Sequence, residues 1–342
     1  MPHEAHIAVE CKELEIGYQS DFYNTKSIQR QLNLQLKKGD FVCLIGPNGC
    51  GKSTLLRTLA GLQKAITGDI FLGNQKLEII SQLQRTRMMS VVLTEKTIVD
   101  NISVSEIVTL GRYAFTNWFG KVEASDEEII RESIHAVGLQ SLSHRFFGTL
   151  SDGEKQRVLI AKALASEAPL MLLDEPTAHL DIPNRVEMMG LLRSLTRCKG
   201  QTIMVSTHDL DLALQLADEI WLMHPEKPMI CGTPEEIAFS GKIDEFFDNK
   251  SFAFVPHSGT FSVNIPETGS ISVIGSGSRY DELLKALNRI GIKTNAAVNE
   301  DLKIEVVTNG FELFVKENRQ TFSNLYSLLK QVRRLSETVT TD

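Results

Sequence analysis

Residues 46–53 (GPNGCGKS) constrain the fold more than any other part of the sequence. They match the pattern Gly-x-x-x-x-Gly-Lys-Ser/Thr in full, and they join an apolar strand-like run to a helix-like run. Glycines let backbone N–H groups turn inward around phosphate oxygens, and the first turn of the helix adds a partial positive charge. We therefore expect a phosphate-binding loop between a strand and a helix.

All residues of this loop and the start of the helix are expected to surround a nucleotide: Gly46, Pro47, Asn48, Gly49, Cys50, Gly51, Lys52, Ser53 and Thr54. Lys52 is expected to reach the β- and γ-phosphates as a catalytic residue, and the Ser53 hydroxyl is expected to ligate Mg²⁺. We interpret Cys50 as a small filler residue rather than a redox switch.

Apolar runs alternate with helical patterns as far as about residue 247. Residues 169–176 (PLMLLDEP) and 201–208 (QTIMVSTH) have the composition of strands buried on both faces, and the run between them has a helical period. Such strands, separated by helices, are typical of a parallel α/β sheet covered on both sides.

Asp174 and Glu175 follow directly after four apolar residues. The carboxyl end of a parallel strand is where nucleotides bind in such sheets. Asp174 is therefore expected to hold Mg²⁺, directly or through water, and Glu175 is expected to orient and polarise an attacking water molecule as a catalytic residue. Two acids after an apolar run are common by themselves, and it is the phosphate loop that gives this pair its meaning.

Residues 149–165 (TLSDGEKQRVLIAKALA) begin a helix whose first turn carries two carboxylates, Asp152 and Glu154. Ser151 followed three residues later by Glu154 predicts a capping box, in which the hydroxyl accepts the Glu154 N–H and the carboxylate reaches back. The same helix end directs its dipole toward an anion. Both carboxylates are therefore expected to turn away from that anion, with Glu154 held by its cap and by basic groups such as Lys155.

The segments GPNGCGKST, LSDGEKQR, LMLLDEPTAHLD and STHD, in this order, resemble the motifs of the ATP-binding-cassette (ABC) ATPases over residues 6–247. The resemblance implies an α/β P-loop NTPase core with an antiparallel β subdomain and a helical subdomain, and it implies ATP and Mg²⁺ as cofactors. It also implies a head-to-tail homodimer, in which each ATP lies between the phosphate loop of one subunit and the signature helix of the other.

The resemblance assigns further site residues by position. Ser151 and Gly153 match the signature residues that meet the γ-phosphate, and His208 matches the catalytic switch histidine at the same phosphate. Asp181 matches the loop that links the two sites of the dimer. Tyr18 matches the aromatic residue that stacks on adenine, with an ordinary strand-edge tyrosine as the alternative.

Two departures from the family pattern concern charge. The signature is LSDGE, where the family usually has LSGGQ. The position of the glutamine that touches Mg²⁺ and senses the membrane partner is filled by Glu95, or by Thr94 if the loop is shifted. A carboxylate at that position could still ligate Mg²⁺.

Residues 104–120, 180–189 and 231–237 resemble the importer cassettes for iron–siderophore, haem and cobalamin. The resemblance implies an ATP-hydrolysing importer subunit that is cytoplasmic and peripheral on the cytoplasmic face of the membrane. Its partners would be integral membrane permease subunits and, indirectly, a periplasmic or surface substrate-binding protein. Residues 104–120, with Trp118 and Phe119, are expected to form the groove for a permease coupling helix, with ordinary packing as the alternative.

Two other functions stay open at this point: a soluble ABC ATPase that acts on chromosomes or ribosomes, and a regulatory nucleotide sensor with slow hydrolysis. The single cassette without sustained heptads disfavours the first. A net charge of −7 disfavours nucleic-acid binding, and five scattered cysteines without a CxxC pair are typical of a reducing cytosol.

The composition changes after about residue 247, where Ser, Gly and Thr become frequent. We expect residues 1–250 to form the ATPase domain and residues 251–342 to form a small α+β domain for docking or regulation. Residues 303–315 predict a hairpin that turns at Asn309-Gly310. Two helical faces are expected to pack in this domain, one with Tyr280, Leu283, Leu284, Leu287 and Ile290, and the other with Phe322, Leu325, Leu329 and Val332.

Overall fold

The computed structural model describes residues 7–21, 24–94, 101–115, 122–247, 252–255, 260–295 and 302–339. Glu95, Trp118 and Phe119 lie outside the described residues. The chain divides into two compact units, one formed by residues 1–248 with 256–260 and the other by residues 249–255 with 261–342. Within the described part of the chain, no helix is both long and apolar enough to cross a bilayer.

Among its described residues, the first unit contains ten strands and nine α-helices. Its strands are β1 (Ile7–Asp21), β2 (Asn24–Lys37), β3 (Phe41–Ile45), β4 (Thr67–Leu72), β5 (Gln75–Lys76), β6 (Met89–Val92), β7 (Leu170–Asp174), β8 (Thr202–Thr207), β9 (Glu219–Leu222) and β10 (Ile230–Gly232). Its helices are α1 (Lys52–Leu59), α2 (Gln82–Met88), α3 (Val104–Thr109), α4 (Ala124–Ala136), α5 (Asp152–Ala165), α6 (Ile182–Lys199), α7 (Leu210–Leu216), α8 (Pro234–Phe239) and α9 (Lys242–Phe247).

The central sheet has the strand order β10-β9-β3-β8-β7-β6, with every described pair parallel except β10 with β9. β3, β7 and β8 are buried at every residue, so the predicted parallel α/β core is confirmed. Their carboxyl ends are in register, because Ile45 lies opposite Thr207 and Asp174 lies opposite Ser206. The phosphate loop, Glu175 and the residues after β8 therefore leave the sheet at one edge.

Two further layers complete the first unit. β2-β1-β4-β5 form an antiparallel sheet whose buried face shares a core with β3 and α1 through Leu14, Leu36, Leu44 and Leu55. Burying each such leucine contributes about 2 kcal/mol. α3, α4 and α5 pack against one another in the stretch between β6 and β7. These are the antiparallel β and helical subdomains that the resemblance implies.

The second unit is a small α+β fold with its own core. Its strands are β11 (Phe252–Val255), β12 (Thr260–Val263), β13 (Gly269–Ile274), β14 (Ile292–Asn295), β15 (Leu302–Val307), β16 (Gly310–Val315) and β17 (Asn318–Phe322), and its helices are α10 (Ser278–Arg289) and α11 (Leu325–Val339). The main sheet has the order β14-β13-β15-β16-β17, while β11 pairs with β12. Leu283 and Leu287 of α10 and Leu328 of α11 pack with Ile304 and Leu313 of the sheet.

Two details of this unit differ from the prediction. The hairpin turns at Thr308-Asn309, one residue earlier than expected, because Val307 pairs with Gly310. Gly310 is required for a different reason, since a Cβ there would lie 2.2 Å from the carbonyl oxygen of Phe322. Phe322 ends β17 instead of joining a helical face, although it packs against the same core as Leu325.

Candidate nucleotide-binding site

The loop between β3 and α1 has the backbone that a phosphate cradle needs. Gly49 and Gly51 have φ angles of 80° and 108°, a region that favours glycine. Gly46 is required by packing, because a Cβ at this position would lie 2.2 Å from the carbonyl oxygen of Met223. Cys50 is completely buried, and burial raises the pKa of its thiol, which agrees with its interpretation as a filler residue.

Lys52 is buried beneath this loop, with only 5% of its surface exposed. Its Nζ donates hydrogen bonds to the carbonyl oxygens of Gly46, at 2.9 Å, and Pro47, at 3.4 Å. The same atom lies 3.5 Å from Oε1 of Glu175. A buried ammonium group needs such partners, and they fix its position beside the acidic pair.

Asp174, at the end of β7, accepts hydrogen bonds from three hydroxyl groups. Its Oδ1 accepts hydrogen bonds from Ser53 Oγ, at 3.1 Å, and from Ser206 Oγ, at 2.7 Å. Its Oδ2 accepts one from Thr94 Oγ1, at 2.8 Å. The residue is 3% exposed, so its orientation is set by these bonds. The side-chain atoms at this position that could bind a metal are all oxygen atoms, which suits a hard cation such as Mg²⁺.

Glu175 and Tyr18 both lie next to the first turn of α1, beside Lys52 and Thr54. Glu175 has a φ of 48°, which is uncommon for a residue with a side chain, and its N–H donates to Ser206 Oγ at 2.9 Å. The Tyr18 hydroxyl lies 3.1 Å from Thr54 Oγ1, and Tyr18 is 54% exposed, which leaves its ring open to a ligand. His208 follows β8 directly and is exposed.

A second group of predicted residues lies at the start of α5. The predicted capping box is confirmed: the Ser151 N–H and Oγ–H donate to Glu154 Oε2 at 2.8 and 2.9 Å, and the Glu154 N–H donates to Ser151 Oγ at 3.3 Å. These bonds, chiefly that from the Ser151 N–H, lower the pKa of Glu154. The contributing basic group is Arg145, where the sequence suggested Lys155. Asp152 is exposed.

Asp181 is the N-cap of α6 and accepts a hydrogen bond from the Asn184 N–H at 3.0 Å. A Cβ at Gly153 would lie 3.6 Å from Leu180 Cδ2, so the start of α5 adjoins the start of α6. The structure therefore collects the predicted residues into two groups. One group surrounds the phosphate loop and the ends of β7 and β8, and the other contains Ser151, Gly153 and Asp181.

A groove of about 510 Å³ lies between the end of β6 and the helical subdomain. Val92 and Leu93 line one wall, Leu110 and Tyr113 line another, and Ala163 of α5 contributes to the floor. Leu110 and Tyr113 are 53% and 77% exposed. The described part of the predicted permease groove, residues 104–115, thus lines this groove through Leu110, Gly111, Tyr113 and Ala114.

Sequence reasoning missed Ser206 and Arg112. Ser206 bonds to both Asp174 and the backbone of Glu175, and its position opposite Asp174 in parallel strands is the signal that could have revealed it. Arg112 is buried in the helical subdomain, and its partners lie 14 to 55 residues away in the sequence, so local spacing gives no sign of them.

A phosphate cradle with a buried lysine and an acidic pair at the same sheet edge defines a P-loop nucleotide-binding protein. The profile of the ABC transporter family matches residues 29–178. An ABC transporter ATP-binding protein of Methanocaldococcus jannaschii is 35% identical over 267 residues, which cover 78% of this chain and 92% of that protein. The petrobactin import ATP-binding protein of Bacillus anthracis is 35% identical over 70% of this chain and 86% of its own length.

Solved structures agree with the sequence comparisons. An inward-facing metal-chelate type ABC transporter superposes with a TM-score of 0.62 at 30% identity, over 75% of this chain and 95% of that one. A dimeric ATP-binding cassette in a post-hydrolysis state with ADP and phosphate superposes with a TM-score of 0.57 at 26% identity, over 66% of this chain and 98% of that one. The chain belongs to the ATP-binding subunits of ABC transporters, and it is an ABC ATPase that binds adenine nucleotides.

Proposed function

We propose that this chain hydrolyses ATP to drive a membrane importer for metal chelates of the iron–siderophore, haem or cobalamin type. The observation that carries the proposal is the contact between Lys52 and Glu175 beneath the phosphate loop, next to an Asp174 that is already oriented. The cargo class is supported by relatives that import petrobactin, ferric enterobactin and cobalamin. The metal-chelate transporter structure supports the same class.

The phosphate end of ATP fits the first group of residues. An incoming β- or γ-phosphate would replace Glu175 as the anionic partner of Lys52, which frees the carboxylate to hold and polarise the attacking water. Ser53 and Asp174 would hold Mg²⁺, which offsets the negative charge on the phosphates when it is bound. His208 would contact the γ-phosphate, and the exposed ring of Tyr18 would stack on adenine. Glu95 is proposed as a further metal ligand by position, whereas Thr94 already bonds to Asp174.

The second group of residues requires another copy of the chain. Ser151 and Gly153 would meet the γ-phosphate bound by the partner of a head-to-tail homodimer, with Asp181 linking the two sites. ATP binding would close the dimer and hydrolysis would reopen it, and the groove beside Leu110 and Tyr113 would pass this motion to the permease. The chain would then work at the cytoplasmic face of the membrane, and a substrate-binding protein would act on the far side.

Affinity purification from membranes tests the proposed partner. The tagged chain is expected to recover a polytopic permease in detergent, and Leu110→Glu is expected to lose it because a charge enters the groove. Phe239→Glu is the matched control, since Phe239 is a 74% exposed aromatic residue that does not line the groove. An active ATPase recovered without any membrane protein would instead favour a soluble ABC ATPase.

Two measurements complete the test of function. Phosphate release from MgATP by the purified chain is expected at turnover rates of about 1–10 per second, and release that is far slower would favour a nucleotide sensor. Cells that lack the chain are expected to lose uptake of a labelled ferric siderophore, haem or cobalamin, and uptake should return with the parent chain but not with Lys52→Ala.

We further propose that residues 251–342 form a docking or regulatory module that restrains the dimer. The support is the separate core around Leu283, Leu287 and Leu313, which lets this unit act as a distinct body. Deletion of residues 251–342 is expected to raise ATP hydrolysis per cassette. Unchanged hydrolysis would contradict a restraining role.

A further inference from the structure

Arg112 is a buried residue of the helical subdomain, and its guanidinium has several polar partners. The residue is 5% exposed, and its Nε donates to Asp126 Oδ1 at 2.8 Å. Its Nη1 donates to the carbonyl oxygen of Ala165 at 2.9 Å and to Glu167 Oε2 at 2.8 Å. Its guanidinium carbon also lies 4.1 Å from the ring centroid of Phe115. One planar group therefore joins α4, the carboxyl end of α5 and the segment that follows α3.

The segment held in this way is a wall of the groove. Its lining residues are Leu110, Gly111, Tyr113 and Ala114. Arg87 also holds this segment by donating to the Ala114 carbonyl oxygen at 2.8 Å. The guanidinium of Arg87 also lies 5.1 Å from the Phe115 ring centroid, so two cations share one aromatic ring.

The same segment touches α5 through its backbone. A Cβ at Gly111 would lie 2.2 Å from the carbonyl oxygen of Lys162, so a glycine is needed for the wall to lie directly on the last turn of α5. α5 runs from Asp152 to Ala165, and a helix of that length is a rod of about 20 Å. Its N-cap is Ser151. Arg112 and Gly111 thus fix the groove wall to one end of the rod whose other end carries the signature.

We propose that Arg112 is a positioning residue that couples the groove wall at residues 110–115 to the signature end of α5. This role rests on the proposed function, because only in a transporter dimer does a permease occupy the groove and does Ser151 meet the ATP that the partner subunit binds. Movement of the wall then moves Ser151, and capture of ATP by Ser151 moves the wall. A guanidinium suits this task, since an ammonium cannot reach Asp126, Ala165 and Glu167 at once.

Hydrogen–deuterium exchange of the full chain in a Glu175→Gln background tests the coupling without a permease. In this background we expect ATP to slow exchange about fivefold in peptides covering residues 151–156 and about twofold in peptides covering residues 110–115. Arg112→Lys is expected to keep the first response and lose the second. Gly111→Ala, which pushes the wall off α5 without changing charge, is expected to do the same.

Two matched controls separate coupling from folding. Glu167→Gln keeps an acceptor for Arg112 and should retain both responses. Gly190 lies in α6, and a Cβ added there meets nothing within 4 Å. Gly190→Ala should therefore also retain both exchange responses. Thermal unfolding of each variant shows whether it is folded at the temperature of exchange.

The outcomes are distinguishable. If Arg112→Lys and Gly111→Ala both keep the response at residues 110–115, the coupling role of Arg112 is wrong although the proposed dimer stands. If ATP slows exchange at neither segment in the Glu175→Gln background, the ATP-bridged dimer is wrong, and the coupling proposal is overturned with it.

Discussion

The two groups of site residues differ in how completely one chain builds them. Around the phosphate loop, Lys52 and Asp174 are 5% and 3% exposed, and their polar atoms are bonded to the loop, to Ser53 and to Ser206. At the start of α5, Ser151 and Asp152 are exposed, and the bonds of Ser151 belong to the helix cap. Lys52 and Asp174 of the first group are therefore oriented by the fold itself, whereas the second group places a capped helix end at the surface.

This contrast predicts that substitutions in the two groups have different effects. Changes in the first group should alter what one chain does to a nucleotide. Changes in the second group should leave nucleotide binding by one chain intact and alter the assembly of two chains.

Glu175→Gln should have the largest effect. Loss of the carboxylate removes the general base and should lower ATP hydrolysis by about 10²–10⁴-fold. ATP binding should persist, because Lys52 keeps its loop carbonyls, and the ATP-bound dimer should become longer-lived. Phosphate release and size-exclusion chromatography with light scattering measure the two effects. Normal turnover by this variant would overturn the role assigned to Glu175.

Lys52→Ala should follow in size. The variant loses charge-assisted hydrogen bonds to phosphate that contribute about 1.5–3 kcal/mol, which corresponds to roughly tenfold to a hundredfold weaker ATP binding. Titration with a fluorescent ATP analogue measures this affinity in dilute protein, where dimers do not contribute. Lys162→Ala is a matched control, because Lys162 lies on α5, outside the phosphate loop. Equal affinities of Lys52→Ala and the parent chain would place the phosphate site elsewhere.

The sequence predicts that Lys52, Ser53, Asp174 and Glu175 share one sheet edge because the signals for these residues are local. Lys52 and Ser53 are adjacent in one motif, and Asp174 and Glu175 end one apolar strand. Thr94 and Ser206 reach the same carboxylate from 80 and 32 residues away, so they come together only through the register of parallel strands. A single sequence gives the strands but not their order.

Predictions outside the first group show a similar limit. The capping box of Ser151 and Glu154 is a four-residue signal and is confirmed. The nearby cation that helps to lower the pKa of Glu154 is Arg145 and not Lys155, and local spacing gave no sign of it. The hairpin was predicted correctly, but its turn lies one residue earlier than expected, because Gly310 already pairs with Val307. Gly310 is a glycine because the carbonyl oxygen of Phe322 leaves no room for a Cβ. The parallel core follows from the sequence, and the long-range side-chain contacts do not.

Ser151→Ala should affect assembly more than binding. The variant loses a helix cap, which lowers the free energy of unfolding by about 1 kcal/mol, and it removes the hydroxyl that would meet the partner's γ-phosphate. Thermal denaturation should show the first effect. ATP-driven dimerisation in the Glu175→Gln background should weaken by about tenfold, with unchanged affinity of the single chain for nucleotide. Ser166→Ala, at the other end of α5, is the control. A large loss of nucleotide affinity in the monomer would break the division between the two groups.

Glu154→Gln should have the smallest effect, and its two consequences have opposite signs. Glutamine can keep the capping box, but it removes a negative charge that favours the helix N-terminus by about 0.3–1 kcal/mol, so the free energy of unfolding should fall slightly. The same charge opposes an approaching phosphate. ATP-driven dimerisation should therefore strengthen, by about two- to fivefold after solvent screening.

The pH dependence of this variant tests the electrostatic explanation. The cap lowers the pKa of Glu154, so the carboxylate remains ionised in the folded chain below the usual pKa of glutamic acid. The stabilisation from this group is present above the unfolded pKa and is lost as the pH falls through the lower folded pKa. The differences in stability and dimerisation between the parent and Glu154→Gln should both disappear over that range. Glu154→Gln could still dimerise more strongly than the parent at a pH where Glu154 is protonated. In that case the shape of the side chain, and not its charge, causes the difference between this signature and the usual LSGGQ.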